Sequence, residues 1–365
     1  MAGAERIVVA MSGGVDSSVA AALVQASGAE VIGVTLRLQR CDGQDSGVRS
    51  CCGVDAVARA SAVAGKLGVR HYVVDAIDAF EARVLQPAWE TYAAGRTPSP
   101  CLWCNERIKF GFLLEWAQGV GAAGVATGHY ARVARHPSGR LQLLRGHDPG
   151  KDQTYFLAGL TGEQLAAVRF PLGEMRKEEV RSVAARLDLP TAQQIESQDA
   201  CLVGAAGEPF AEVLRQRYAG TARQGVVVND AGEVLGPHAG LHLFTIGQRR
   251  GLGLSHHRPM WVAALDVDSG TVQVVHDADQ LAAEAMLVED LVWSGGAPPR
   301  EPQRCTVQVR YRHRAVAAEI APDAATPTGF KVRFDAPVRA VTPGQAAVFY
   351  DGDAVLGRGW IVATA

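Results

Sequence analysis

The architecture of the N-terminal half is indicated most directly by one stretch, Ala10-Met11-Ser12-Gly13-Gly14-Val15-Asp16-Ser17-Ser18. The continuous, β-branched apolar run that precedes it, residues 6–10, predicts a buried strand. The residues that follow it, 19–25, are good helix formers and predict a helix. A strand, a Ser-Gly-Gly turn and a helix together form a cradle for an anion. The glycines let the backbone approach a polyanion, and the N-terminus of the helix attracts negative charge.

The pattern SGGxDS differs from two common nucleotide-binding motifs. No Lys follows the glycines, as it would in GxxxxGK[ST], and the spacing of the glycines is not that of GxGxxG. The pattern resembles the pyrophosphate loop of ATP-pyrophosphatases, enzymes that split ATP into AMP and pyrophosphate. The alternative is a plain glycine turn between a strand and a helix. The number of specified residues in a strand–turn–helix context argues against that alternative.

Size and composition indicate a multidomain globular protein. The 365 residues suffice for two or three domains, and 48% of them are hydrophobic. No apolar run reaches the roughly 18 residues of a membrane span, and the first residues lack the apolar centre of a secretion signal. We therefore expect a cytoplasmic protein that makes no membrane contact. Its seven cysteines are expected to be reduced, catalytic or metal-binding. The net charge of −2 gives no argument for nucleic acid.

Strands alternate with helices through the N-terminal half of the chain. Strands are predicted at 30–38, 70–75 and 123–127, and helices at 54–67, 80–94 and 105–118. This alternation predicts an α/β domain with a doubly wound parallel sheet covered on both faces. Ligands bind such sheets beyond the carboxyl ends of the strands. We therefore expect the ends of the strands at Leu36 and Gly128 to lie beside the Ser-Gly-Gly turn.

After Gly220 the sequence changes to short strand-like runs separated by turn residues. The predicted strands are 226–228, 234–235, 261–267, 271–276, 305–311, 330–334 and 346–350. Many short strands without helices are typical of one or two smaller, mainly β domains. We predict a catalytic domain at 1–210, a small central β-rich domain at 211–284 and a C-terminal β domain at 285–365. The basic residues from Arg310 to Arg314 are expected to alternate faces along a strand.

A second informative stretch is Thr97-Pro98-Ser99-Pro100-Cys101-Leu102-Trp103-Cys104-Asn105. Its two prolines predict an extended, stiff approach to a helix. Cys104 is predicted to stand at the start of that helix, where the dipole favours the thiolate. Cys201 lies in another loop-like segment. One C-x-x-C and a distant Cys fall short of the four ligands of a structural zinc site, so redox chemistry, metal binding and a structural role all stay open.

A series of motifs identifies a family. In chain order they are SGGVDSS, TPSPCLWCNERIKF, ATGHYAR, KDQTYFL, QDACLVG, FTIGQRRGLG, CTVQVRYR and TPGQAAVFY. They closely resemble those of the bacterial tRNA-specific 2-thiouridylases, tRNA-uridine 2-sulfurtransferases of the ATP-pyrophosphatase superfamily. These enzymes replace oxygen by sulfur at C2 of the wobble uridine, position 34 of tRNA. The resemblance covers almost the whole chain and implies that the C-terminal domain is a β-barrel.

The resemblance implies a mechanism in two stages. ATP adenylates the C2 oxygen of uridine with release of pyrophosphate, and a sulfur nucleophile then displaces AMP from C2. Cys104 would be the nucleophile, Cys201 would carry or resolve the persulfide sulfur, and Asp16 would support the pyrophosphate and its Mg²⁺. The residues implied to bind ATP are Ala10, Met11, Ser12, Gly13, Gly14, Val15, Asp16, Ser17, Leu36 and Gly128.

The resemblance also implies a set of tRNA contacts. The target base must leave the anticodon stack, because bases in RNA loops are recognised splayed out. Ser99, Pro100 and Cys101 would lie against that base. The remaining implied contacts are His129, Lys151, Asp152, Gln153, Tyr311, Arg312 and Gln345. The alternative for residues 151–153 is a polar turn before an apolar run. The implied substrates are tRNAs that read Lys, Glu and Gln codons. We further expect a separate sulfur donor and a monomeric enzyme.

Position 101 departs from a pattern common in the family, where Asp often stands in place of Cys. Some tRNA thiolases hold a [4Fe-4S] cluster by three cysteines, and thiolates are the usual ligands of such clusters. Cys101, Cys104 and Cys201 are therefore candidate ligands of a cluster. The alternative is that Cys101 has no role in the chemistry and that a persulfide route operates. Among the other cysteines, Cys305 is expected to be a small core residue, and Cys41, Cys51 and Cys52 to be spectators rather than a sulfur relay.

Two other functions remain as alternatives. The first is a different ATP-pyrophosphatase, such as an amide ligase acting through an adenylate. That chemistry uses ammonia or an amine, so Cys104 and Cys201 argue against it. The second is a non-catalytic tRNA-binding protein that uses ATP only structurally. Release of AMP and pyrophosphate in the presence of tRNA separates this alternative from an enzyme.

Overall fold

The computed structural model describes residues 4–40, 54–194, 208–254, 258–294, 296–326 and 328–364. Four of the cysteines considered above, Cys41, Cys51, Cys52 and Cys201, lie outside the described residues. Across these six ranges, no helix is both long enough and apolar enough to span a bilayer.

A five-stranded parallel sheet forms the centre of the N-terminal domain. The sequence predicts the parallel sheet and four of these strands, but not the short fifth strand at Val168–Arg169. Its strands are β1 (Arg6–Ala10), β2 (Glu30–Arg37), β3 (Arg70–Asp75), β4 (Gly124–Ala126) and β7 (Val168–Arg169). They lie in the order β3-β2-β1-β4-β7, so β2 and β4 flank β1 on opposite sides. The carboxyl end of β1 therefore opens into the crevice where ligands bind in open α/β sheets.

Helices cover both faces of this sheet. The α-helices of this part of the chain are α1 (Val15–Ala26), α2 (Val54–Leu67), α3 (77–93), α4 (100–119), α5 (Gly162–Ala167) and α6 (Lys177–Arg186). α1 and α6 pack on one face, where Val9 and Val180 are fully buried. α4 packs on the other, where Leu113 lies with Val8. π-helical turns interrupt α3 at Glu81–Leu85 and α4 at Cys104–Phe112.

Helix α4 begins earlier than the sequence predicts. It starts at Pro100 rather than at Asn105. Pro is tolerated at the first helical position because its missing N–H would have no partner inside the helix in any case. Cys101 consequently lies in the first turn and Cys104 one turn further on. The prediction that Cys104 stands at the start of a helix is therefore wrong.

A four-stranded sheet forms the centre of the middle part of the chain, after the short helix α7 (Phe210–Arg217). Its strands are β8 (Gly225–Val228), β9 (Val234–His238), β10 (Trp261–Asp266) and β11 (Thr271–Val275), in the order β10-β11-β8-β9. Val227, Val262 and Val272 are fully buried in its core.

The C-terminal strands close into a six-stranded barrel, because β12 pairs with both β15 and β17. The strands are β12 (Ala282–Trp293), β13 (Gln303–Gln308), β14 (Val316–Pro322), β15 (Phe330–Arg339), β16 (Ala346–Asp351) and β17 (Ala354–Thr364). A hairpin of the N-terminal half, β5 (Ala131–Arg135) and β6 (Leu141–Arg145), adds to the same sheet through the pairing of Leu144 with Ala354. The barrel is thus joined to the first half of the chain by strand pairing.

The barrel differs from the prediction in its strands and in the position of a basic run. β12, β14 and β17 are missing from the predicted strands. In β12 the Ala, Glu, Met and Leu residues favour helix, and closure of the barrel overrides that preference. β13 ends at Gln308, so the basic run from Arg310 to Arg314 lies in the turn that follows, with Arg312 at φ 62°. The predicted alternation of this run along a strand is therefore wrong.

The barrel core supplies a stability prediction. Val307 on β13 is fully buried, whereas Val234 on β9 is 65% exposed. We expect Val307→Ala to lower the free energy of unfolding by about 2 kcal/mol, because two methyl groups are lost from a close-packed core. The same change at Val234 should alter it by less than about 0.5 kcal/mol. Urea unfolding measures both, and equal effects would contradict the assignment of Val307 to the core.

Candidate functional site

Residues 11–18 wrap around the N-terminus of α1 at the carboxyl end of β1. The Met11 N–H donates to Val34 O at 2.8 Å, which ties this loop to β2. The Ser12 N–H donates to Ser17 Oγ at 3.2 Å, and Ser18 Oγ donates to Gly14 O at 2.8 Å. Gly14 is the N-cap residue and brings no side chain to the first N–H groups of α1. Those groups can therefore serve an anion.

Two glycines make the close packing of this loop possible. Gly13 has φ 71°, and a Cβ there would collide with the Ala56 carbonyl of α2. A Cβ at Gly128 would lie 2.7 Å from the backbone of Asp16 and of Ser17. Any larger residue at position 128 would push α1 away from the end of β4. The structure thus brings the predicted ATP-binding loop and Gly128 together, as expected from the parallel sheet.

Asp16 forms an ion pair with Lys177 at the start of α1. Lys177 Nζ lies 2.7 Å from Asp16 Oδ1 and 2.8 Å from Oδ2. Tyr130 Oη also donates to Asp16 Oδ1, at 2.8 Å. The Lys177 side chain is only 10% exposed, whereas that of Asp16 is 32% exposed. The pair therefore places a largely buried cation beside the anion cradle while the carboxylate keeps a face open to solvent.

Lys177 is the residue of this site that the sequence interpretation missed. It is the first residue of α6, and its N–H donates to Asp148 Oδ2 at 3.0 Å. The sequence shows an amphipathic helix here, and a lone Lys at its first turn carries no local signal of a site. Its role becomes visible only when α6 packs against α1, more than 150 residues away in the chain.

Cys101 and Cys104 lie three residues apart on α4. Cys101 is partly exposed and Cys104 is 7% exposed. Residues at i and i+3 share a helix face, so the two thiols can serve one ligand. Cys201, the third predicted member, lies outside the described residues. Within the part of the chain that the structure describes, no group of three His, Cys, Asp or Glu side chains is arranged to hold a metal.

His129 follows Gly128 and is held in an aromatic setting. Thr127 Oγ1 and His129 Nδ1 are 2.7 Å apart, and the imidazole lies 5.9 Å from the Phe110 ring and 6.2 Å from the Phe170 ring. Burial, and next the charge of Lys109, hold the pKa of His129 well below its ordinary value. A neutral imidazole here fits a hydrogen-bonding contact better than an ionic contact with phosphate.

The predicted contact residues 151–153 divide into two roles. The Asp152 carboxylate accepts from Arg145 Nη1 at 2.7 Å, from the Gly146 N–H at 3.1 Å and from Thr154 Oγ1 at 2.9 Å. These hydrogen bonds show that Asp152 stabilises the chain between Arg145 and Thr154. The Gln153 side chain accepts the Tyr130 N–H at 3.0 Å, and Lys151 is partly exposed. As tRNA contacts, all of them stay predictions.

The barrel brings further predicted residues next to α4 and the residues that precede it. The Tyr311 ring lies 4.3 Å from that of Phe156, whose carbonyl accepts from Asn105 beside Cys104. Arg312 is exposed, with its guanidinium 5.5 Å from the Tyr311 ring. Gln345 Nε2 donates to Pro98 O at 3.0 Å. This contact gives Gln345 a second role, which is to hold the residues that precede Ser99 and Pro100.

Comparison with known families accounts for most of the chain. Residues 5–205 match the family model described as "tRNA methyl transferase HUP domain". Residues 212–276 match "tRNA methyl transferase PRC-barrel domain", and residues 283–361 match "Aminomethyltransferase beta-barrel domain". The three matches follow one another in the order of the parallel sheet, the central sheet and the closed barrel.

Curated relatives match over almost the whole chain. The protein from Geobacter metallireducens named "tRNA-specific 2-thiouridylase MnmA" is 43% identical over 361 residues, covering 98% of this chain and 96% of the relative. A protein of the same name from Synechococcus sp. is 44% identical over 359 residues, covering 98% and 97%. One from Magnetococcus marinus is 42% identical over 359 residues, covering 98% and 99%.

The ion pair of Lys177 with Asp16 gives a kinetic prediction. We expect Lys177→Met to slow tRNA-dependent release of pyrophosphate from ATP by roughly tenfold or more, because the loop loses the cation beside the phosphates. Lys66→Met is the matched control, since Lys66 pairs with Asp188, which is 93% exposed. A coupled pyrophosphate assay measures both variants. Equal rates for the two would show that Lys177 has no part in handling ATP.

Proposed function

The chain belongs to the family of tRNA-specific 2-thiouridylases, and on that premise we propose that it thiolates C2 of the wobble uridine of tRNA at the expense of ATP. The observation that carries the proposal is the anion cradle at the end of β1. Gly14, the Gly128 contact and the buried Lys177 cation all lie around the start of α1. A triphosphate is the ligand class that such a cradle accepts.

The first stage is activation of the uridine. The C2 oxygen attacks the α-phosphate, an oxygen–phosphorus bond forms, and the bond to the β-phosphate breaks to release pyrophosphate. The N–H groups at the start of α1 and the Lys177 ammonium stabilise the charge that develops on the pyrophosphate. Asp16, whose carboxylate is 32% exposed, would help to hold a Mg²⁺ ion that neutralises charge on the phosphates.

The second stage is sulfur transfer. A sulfur nucleophile attacks C2, the bond from C2 to oxygen breaks, and AMP leaves with that oxygen. In the persulfide version, the terminal sulfur on Cys104 attacks, and the Cys201 thiol then breaks the sulfur–sulfur bond, leaving 2-thiouridine and a disulfide. Such a disulfide requires Cβ atoms roughly 4 Å apart.

For the group that carries the sulfur we favour a [4Fe-4S] cluster held by Cys101, Cys104 and Cys201. Cys101 and Cys104 fit this role, because thiolates at i and i+3 of one helix can share a ligand. When bound, the cluster would supply an iron free to take sulfide. The chain's own contribution is to hold the two thiols against the target base, next to Ser99 and Pro100.

The proposal includes partners. The implied substrates are tRNAs with Lys, Glu and Gln anticodons, read by Lys151, Gln153, His129, Tyr311 and Arg312. Tyr311 supports this assignment, since it is 38% exposed and packs on Phe156 near α4. A separate donor would deliver the sulfur, and we propose a cytoplasmic monomer. The domain limits at 210 and 284 belong to the same proposal.

Iron content separates the two sulfur routes. We expect protein purified without oxygen to contain iron and acid-labile sulfide, and Cys101→Ala to lose both together with tRNA thiolation, because a cluster needs every thiolate. Cys305→Ala is the matched control, since Cys305 is buried in the barrel core. Both variants should still release pyrophosphate.

Full thiolation by iron-free protein supplied with a persulfide donor would contradict the cluster. In that case Cys104→Ser should abolish thiolation while Cys101→Ala leaves it intact. If Cys104→Ser retained full thiolation, neither route could be correct for this chain.

A further inference from the structure

The C-terminal barrel contacts the residues on either side of Cys104. Both contacts come from β17, where Arg358 and Trp360 stand two residues apart and therefore point to the same face of the strand. Trp360 meets Trp103, and Arg358 meets Glu106. Trp103 and Glu106 are three residues apart and share a face of α4. Cys104 lies between them in the chain.

The contact between Arg358 and Glu106 is a two-point ion pair. Arg358 Nε lies 2.9 Å from Glu106 Oε1, and Nη2 lies 3.0 Å from Oε2. The two side chains are only 8% and 10% exposed. Arg358 Nη1 also donates to Asp290 O at 2.7 Å, so the guanidinium is fixed to β12 as well. A bidentate pair of this kind fixes the orientation of the two side chains as well as the distance between them.

The surroundings leave the Glu106 side chain little freedom. A Cβ on Gly159 would overlap the Glu106 carboxylate, so a larger residue at position 159 would displace that side chain. The Arg358 guanidinium also lies 4.9 Å from the Trp360 ring, which in turn is 5.2 Å from the Trp103 ring. The ion pair and the aromatic pair therefore form one packed unit between β17 and α4.

The part of α4 that begins at Cys104 has an unusual backbone geometry. Cys104–Phe112 is π-helical, and the Leu113 N–H donates to Ile108 O five residues back. π-helical turns are rare, and they recur at functional sites. Two contacts from outside the helix hold this one: Gln164 Nε2 donates to Phe110 O at 2.8 Å, and Arg358 binds the Glu106 side chain.

We propose that Arg358 is a positioning residue for the sulfur-transfer step, acting on Cys104 through Glu106. The proposal rests on the proposed function, in which Cys104 handles the sulfur. The barrel completes the catalytic segment by fixing the rotation of α4 at the cysteine. Loss of the ion pair leaves Glu106 without its buried partner and lets the π-helical turn relax. The Cys104 thiol then spends less time in the position from which it serves sulfur transfer to C2, either as the persulfide carrier or as a ligand of the cluster.

The test uses the full-length enzyme with Arg358→Met. We expect kcat for tRNA thiolation to fall roughly tenfold or more, with KM for tRNA and the single-turnover rate of pyrophosphate release within about twofold of wild type. Arg304→Met is the matched control, because Arg304 makes an exposed two-point ion pair with Asp335 within the barrel. This variant should behave as wild type.

Thiol alkylation gives a second readout that is independent of thiolation. Iodoacetamide labelling, followed by mass spectrometry of each cysteine peptide, reports access to Cys104 and to Cys305. Both are buried in the wild type, at 7% and 9% exposure. We expect Arg358→Met to speed labelling of Cys104 several-fold and to leave that of Cys305 unchanged. Arg358→Lys, which keeps the charge but loses the bidentate pair, should give intermediate values for both labelling and kcat.

Several outcomes would overturn the proposal. Wild-type kcat and wild-type labelling in Arg358→Met would do so, as would equal acceleration at Cys104 and Cys305, which indicates general loosening. If Arg358→Met does not fold, wild-type values in Arg358→Lys would overturn it instead. Failure of the proposed function has a different signature, because Cys104→Ser would then keep full thiolation while the labelling result at Cys104 in Arg358→Met still stood.

Discussion

The ion pair between Asp16 and Lys177 is the interaction on which the site depends. It joins the first turn of α1 to the first turn of α6, and Tyr130 binds the same carboxylate from the segment after β4. Three separate parts of the chain are therefore held around one anion cradle. Removal of this carboxylate takes away the ion-pair partner of a largely buried Lys, so the pair is costly to break.

A second constraint concerns the other half of the proposed chemistry. The helix that carries Cys101 and Cys104 belongs to the N-terminal domain, but its approach is held from the barrel. Gln345 binds the carbonyls of Thr97 and Pro98, and Thr97 N–H donates to Pro343 O at 3.0 Å. The β5–β6 hairpin adds to the barrel sheet from the opposite direction. The first domain and the barrel are thus joined by hydrogen bonds to the segment before α4 and by the pairing of β6 with β17.

The sequence predicts the features whose residues are adjacent in the chain, and it does not predict contacts between distant residues. The strand, the Ser-Gly-Gly turn and the helix around Gly13 are adjacent in the chain, so the cradle and the parallel sheet were predictable. Lys177 and Arg358 lie 161 and 252 residues from their partners, and no local pattern marks them. Helix α4 starts earlier than the sequence predicts because Pro100, which favours an extended approach in the residue before it, also fits the first position of a helix. β12 was missed because its helix-forming residues become a strand only when the barrel closes.

The most direct test of the account is the stoichiometry of products in one reaction. Wild-type protein is incubated with ATP, Mg²⁺, a cognate tRNA and a sulfur source, and AMP, pyrophosphate and 2-thiouridine are quantified together. The account predicts equimolar formation of all three, and none of them when tRNA is omitted. Binding of tRNA without release of AMP or pyrophosphate would contradict it and indicate a binding protein. Release of both without 2-thiouridine, with an amine incorporated instead, would indicate a ligase.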